Sequence, residues 1–184
     1  MMVMRTAFLA LSLVVAAPAL AQVKTVSPVD ALYERLARAK TPEEAKGIAG
    51  AIERAQLRSG SDTADLLMSR AVQALQGGNK DVALRLLTSI VAISPDYVEG
   101  WNKRATLYFM QDDYVRAVAD IAETIKREPR HFGAWMGLGA ILKETGEKKR
   151  AYEAFKRALA VYPQLEAAQK AVDELKTEVE GRDI

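Results

Sequence analysis

Residues 98–131 read VEGWNKRATLYFMQDDYVRAVADIAETIKREPRH, and residues 132–165 read FGAWMGLGAILKETGEKKRAYEAFKRALAVYPQL. Laid one above the other without a gap, they share a frame that reaches back over residues 64–97. Prolines recur at Pro95, Pro129 and Pro163, 34 residues apart each time, and Trp101 and Trp135 each follow a proline by six residues. Gly78 and Gly146 hold one slot, with Asp112 in the middle copy, and Ala83, Ala117 and Ala151 follow five residues later. A fixed period of this length predicts a helix-turn-helix solenoid and not a closed globule. Each unit carries apolar residues at helical spacing on two segments, which predicts a pair of amphipathic helices. The prolines end each second helix, because proline cannot donate to the ladder and biases the preceding residue away from α. Ala71, Ala105 and Gly139 sit where the two helices of a pair approach closely, and the aromatics opposite are expected to fill the remaining space. Burial of one tryptophan removes about 150–250 Å² from water, worth on the order of 4–6 kcal/mol as an upper bound. Trp101→Ala or Trp135→Ala is therefore expected to unfold the array or leave it molten.

These slots resemble the tetratricopeptide repeat (TPR). In the last copy Trp135, Leu138, Gly139, Gly146, Ala151, Phe155, Ala158 and Pro163 fall on that family's signature positions. The middle copy keeps Trp101, Tyr108, Ala117 and Pro129, and departs with Arg104 for the leucine, Ala105 for the glycine and Thr124 for the late alanine. The first copy has Leu67 for the aromatic and keeps Ala71, Gly78, Ala83, Leu87 and Pro95. The resemblance implies an all-α solenoid of stacked antiparallel helix pairs in a right-handed superhelix. Its repeats span 64–97, 98–131 and 132–165.

The flanks extend the pattern. Residues 1–21 (MMVMRTAFLALSLVVAAPALA) carry Arg5 as a positive start, an apolar run over 7–17 and the small-x-small site Ala19-Leu20-Ala21. This is the pattern of an export signal, with cleavage expected after Ala21. The apolar run is shorter than the roughly 20 residues of a spanning helix, so a stable membrane anchor is not expected, and an uncleaved anchor is the alternative. Residues 22–29 are polar and without period, and are expected to be a disordered lead-in. From Asp30 to Gly60 two short helical patterns read as a hairpin. Leu32, Leu36 and Ala39 share one face of the first, and Thr41-Pro42-Glu43-Glu44 opens the second. Its turn comes too early for the 34-residue frame, which favours an N-terminal cap over a degenerate repeat. Residues 164–180 place Leu165, Ala168, Val172, Leu175 and Val179 on one stripe. A helix closing the last repeat is expected, with a coiled-coil dimerisation seam as the alternative.

Little in the chain points to chemistry. Among 184 residues there is no cysteine and one histidine, His131, and the net charge is +2. Thiolate sites and multi-histidine zinc sites are excluded, and no disulfide holds the fold. The basic run Lys148-Lys149-Arg150 is too short for a nucleic-acid footprint. His131 falls in the turn beside Pro129 and is expected to be an ordinary loop residue. Gly133, Gly137 and Gly139 alternate with large residues on a helix and do not form a phosphate loop. No catalytic residue and no cofactor are expected.

The resemblance supplies a surface instead, since TPR arrays commonly bind a peptide or helix on the concave side. Its inward slots are Asp65, Met68, Ser69 and Val72 in the first repeat. The second contributes Glu99, Asn102, Lys103, Thr106 and Met110, and the third Gly133, Met136, Ala140 and Lys143. Three methionines in one groove would suit an adaptable apolar contact, the alternative being that some are buried between helices. The carboxylate clamp used by some TPR proteins on chaperone tails is not expected. Met68 and Val72 hold its first pair of slots, Gly133 and Gly137 its last, and only Asn102 and Lys103 supply comparable groups. The expected function is a non-enzymatic periplasmic adaptor or scaffold that binds a segment of a cell-envelope protein. A small-ligand or peptidoglycan-fragment binder is the alternative. A deep pocket with converging polar groups would favour the latter, and a long open apolar groove the former. No pattern indicates a homo-oligomer apart from the stripe of the last helix.

Overall fold

The computed structural model describes residues 27–181, so the expected export signal and most of the expected lead-in lie outside the described residues. The described residues form helices joined by short turns: α1 (Pro28–Arg38), α2 (Pro42–Gln56), α3 (Asp62–Gln76), α4 (Lys80–Ile93), α5 (Val98–Phe109), α6 (Tyr114–Arg127), α7 (Phe132–Glu144), α8 (Lys148–Val161) and α9 (Glu166–Glu180). α3/α4, α5/α6 and α7/α8 pack as successive pairs, and α9 closes the stack against α8. The second helices start at Lys80, Tyr114 and Lys148, in the period of 34 read from the sequence. α1 begins at Pro28, ahead of the expected Asp30, because Ser27 and Asp30 form a reciprocal capping box with proline in the first turn.

One turn geometry is used three times. Gly78, Asp112 and Gly146 adopt positive φ of 75°, 57° and 82°. The next N–H reaches back to the helix it leaves: Asn79 to Ala74 O at 2.8 Å, Asp113 to Tyr108 O at 2.9 Å, and Glu147 to Leu142 O at 2.8 Å. The left-handed residue turns the chain so that the following N–H satisfies a helix carbonyl that would otherwise be orphaned. Asp112 does so without the freedom of glycine.

The core of each pair is set by size complementarity. Ala71 faces Leu87, Ala105 faces Ile121 and Gly139 faces Phe155, all at equivalent slots and all buried. Aromatics were expected opposite all three small residues, but aliphatic Leu87 and Ile121 fill two of the places, and only at Gly139, where the methyl is removed, is there room for a ring.

The tryptophans are not the buried anchors expected. Both are only half-buried, and each donates its indole N–H to a turn carbonyl, Trp101 to Pro95 O at 2.8 Å and Trp135 to Pro129 O at 2.9 Å. The six-residue proline–tryptophan spacing is thus the footprint of a hydrogen bond. Loss of one ring should weaken the array and leave it folded. Arg104, in place of the family's leucine, donates to both oxygens of Asp120 at 2.7 and 2.8 Å. Its guanidinium lies 5.1 Å from the centre of the Trp101 ring.

The hairpin α1–α2 is not the cap on the first repeat that its position in the chain suggested. Its buried face (Tyr33, Leu36, Ile48, Ile52) shares a cluster with Phe132 and Tyr162 from the second and third inter-repeat turns. The core of α3 and α4 contains no residue of the hairpin. Polar contacts run the same way. Arg130 reaches Asp30 Oδ1 at 2.5 Å and lies 4.4 Å over the Tyr33 ring. Tyr97 donates to Leu57 O at 2.8 Å, and Gln164 to Ala39 O at 3.4 Å. The hairpin therefore lies lengthwise along the edge made by the inter-repeat turns, where the first helices of the pairs begin.

Candidate binding cleft

The docked hairpin turns one stretch of the inner face into a cleft of about 310 Å³. α5 contributes Asn102, Lys103 and Thr106, the start of α7 contributes Gly133, and the end of α2 supplies Glu53, Gln56 and Leu57 as the opposing wall. Asn102, Lys103 and Thr106 share a face because they recur at three- and four-residue spacing along one helix.

Beneath the cleft lie two buried polar residues, Glu99 and His131, each at most 5% exposed. His131 caps α7: its Nδ1 accepts the Ala134 N–H at 3.0 Å, so the proton of the neutral ring sits on Nε2, which faces Glu99 Oε1 at 2.8 Å. Asn102 donates to the other Glu99 oxygen at 3.0 Å, and Lys103 stands 3.6 Å from it. Burial alone would raise the Glu99 pKa. The hydrogen bond from His131, together with the Lys103 charge and the Asn102 amide, outweighs it and holds the carboxyl below its ordinary range. Both imidazole nitrogens are engaged, which leaves His131 no free nitrogen to act as a base. His131 lies in the turn, as its place in the sequence suggested, but is buried and bonded at both nitrogens where an ordinary loop residue was expected. The burial arises because the docked hairpin and Phe132 cover the turn.

The other inward slots disperse. Met68 is buried at 3% exposure in the core of α3 and α4. Met136 is half-buried in the cluster that includes α8 and α9, and Met110 is exposed at the end of α5. The expected three-methionine surface does not form, because Met68 and Met136 point between helices. Asp65 is taken up by the linker after α2, accepting from Ser59 N at 2.7 Å and Ser59 Oγ at 2.5 Å. Those bonds hold its pKa below the ordinary aspartate value. Lys143 pairs with Glu174 on α9 at 2.6 Å. Ser69 is exposed, and Val72 and Ala140 are half-buried, away from the cleft residues. The wall formed by α2 had no signal in the 34-residue frame. Among the described residues, no cluster of histidine, aspartate and glutamate is arranged to hold a metal ion.

Comparison with known proteins agrees with the fold. A family model described as tetratricopeptide repeat matches residues 102–174. A TPR repeat-containing protein of Rhizobium etli is 38% identical over 153 residues, covering 83% of this chain and 75% of that protein. The chain belongs to the tetratricopeptide repeat family. Among solved TPR structures, the first TPR of Spaghetti (RPAP3), bound to the HSP90 peptide SRMEEVD, aligns with a TM-score of 0.62 at 18% identity. It covers 65% of this chain and 95% of its own. MamA AMB-1 aligns with a TM-score of 0.57 at 22% identity, covering 83% of this chain and 80% of its own. At these identities the two structures share the TPR fold. TPR domains as a class mediate protein–protein interaction, and no enzymatic family is indicated.

Proposed function

We propose that this TPR protein is an exported, periplasmic adaptor that holds a segment of a cell-envelope protein in the cleft between α2 and the inner face of α5 and α7. The observation that carries the proposal is the convergence of Gln56, Asn102, Lys103 and Thr106 on one cleft. Amide, ammonium and hydroxyl groups there can pair with the backbone and acidic side chains of an extended segment. The leader-like residues 1–21 support export. A chaperone-type tail bound through its terminal carboxylate is not part of this reading, since the clamp slots other than Asn102 and Lys103 are apolar or glycine.

The same cleft supports a second reading. Its polar lining and modest volume suit a small polar ligand such as a peptidoglycan fragment better than a long apolar groove would. The two separate in one experiment. A photo-crosslinking residue at Thr106, which is exposed and lines the cleft, is used in intact cells with Lys126 as an outward control. Capture of one defined envelope protein at position 106 and not at 126 is the expected result. Failure to capture protein, with a thermal shift on addition of muropeptides, would overturn the adaptor in favour of the small ligand.

A further inference from the structure

The second and third repeats differ at one slot in a way the array itself does not require. In the second, the crevice between the paired helices is filled from within: Arg104 lies between the Trp101 and Tyr108 rings, 5.1 and 5.8 Å from their centres, and Asp120 neutralises it. In the third, the equivalent residues are Leu138 and Ala154. No described residue fills the crevice, and a trough of about 350 Å³ lies beside the Trp135 ring. Its floor is apolar, and Lys149, Arg157 and Glu153 stand at its rim. Glu153 is paired with Lys156 at 3.3 Å, and the adjacent Arg150 with Glu147. Lys149 and Arg157 have no acidic partner among the described residues.

We infer that this trough is a second interaction site, separate from the cleft, and that it takes an acidic protein segment which inserts one large apolar side chain against Trp135. An arginine, the occupant of the sister slot, is disfavoured here because the neutralising aspartate is replaced by Ala154 and the rim is basic. Lys149 and Arg157 are eight residues apart on α8, about 12 Å at a helical rise of 1.5 Å per residue. That distance matches two carboxylates about four residues apart on an extended chain, with the apolar residue midway.

The probe is the peptide acetyl-Asp-Ser-Leu-Ser-Asp-amide, with acetyl-Lys-Ser-Leu-Ser-Lys-amide and acetyl-Asp-Ser-Ser-Ser-Asp-amide as controls. Titration into the full chain is followed by the two indole N–H resonances. The acidic leucine peptide is expected to shift Trp135 and leave Trp101 unmoved, and each control to bind about tenfold more weakly or worse. Leu138→Arg with Ala154→Asp copies the filled slot of the second repeat and should abolish the shift. Lys149→Glu with Arg157→Glu leaves the core untouched and should reverse the preference to the lysine peptide. Equal response to acidic and basic peptides, no shift at Trp135 up to the solubility limit, or undiminished binding by the charge-reversed variant would overturn the inference. So would a Trp135 shift that depends on protein concentration without peptide, which would place a second copy in the trough.

Discussion

Gly139→Ala tests the packing logic of the array at its tightest point. A Cβ at position 139 would lie 2.6, 2.7 and 2.8 Å from Cε1, Cδ1 and Cζ of Phe155. Ordinary carbon contacts are about 3.5–4.0 Å, so the buried ring would have to move by about 1 Å within a close-packed cluster. Overpacking of this kind costs about 1–3 kcal/mol, and three simultaneous contacts put this site at the upper end. Replacing a helical glycine with alanine returns about 1 kcal/mol, which leaves a net loss of about 2 kcal/mol. For a chain of this size that corresponds to a fall in Tm of about 4–8 °C. Gly137→Ala is the matched control on the same helix, because its added Cβ would meet only Ile121 Cδ1 at an ordinary 3.5 Å. It should gain roughly 0.5–1 kcal/mol. The double variant Gly139→Ala with Phe155→Ile rebuilds the Ala105–Ile121 pair of the preceding repeat and should recover most of the loss. Thermal and urea unfolding of the parent, Gly139→Ala, Phe155→Ile and the double variant close a double-mutant cycle with an expected coupling above about 1 kcal/mol. If Gly139→Ala proved as stable as Gly137→Ala, or if the cycle showed no coupling, the size-pairing account would be wrong.

Three further outcomes follow from the same structure. Asp112→Gly relieves a non-glycine residue at φ 57° and should stabilise the array by about 0.5–1 kcal/mol, read as a higher urea midpoint at unchanged slope. Glu99 titrates below its ordinary value of 4.5 in the folded chain. Its stabilising contribution is therefore complete above that pH and disappears as pH falls through the lower folded value; Glu99→Gln should flatten this acid limb in pH-dependent melts. Arg130→Ala removes both the Asp30 contact and the stack on Tyr33. Amide exchange in α1 should speed up about tenfold while α7 and α8 keep their protection, since local opening of the hairpin need not unfold the array.

Much of this protein is legible in its sequence because a solenoid is held by neighbours. The helix pairs, the positive-φ slots at Gly78, Asp112 and Gly146, and the small–large pairs ending in Gly139–Phe155 involve residues within one repeat, so the 34-residue frame records them directly. The candidate site is less legible. Asn102, Lys103 and Thr106 were found from the inward slots, whereas Met68 and Met136 hold equally inward slots and turn into the core. Slot position fixes the side of the helix and does not say how deep a neighbouring helix covers it.

What only the tertiary structure decided is where the hairpin goes and what it buries. Asp30 meets Arg130 and Ala39 meets Gln164, separations of 100 and 125 residues. Such contacts leave no period to read. The docked hairpin makes the opposing wall of the cleft and covers both the turn that holds His131 and the start of α5 that holds Glu99. A one-dimensional repeat encodes its nearest-neighbour interfaces in local pattern, while docking of a segment outside the frame depends on surfaces that exist only once the array has stacked.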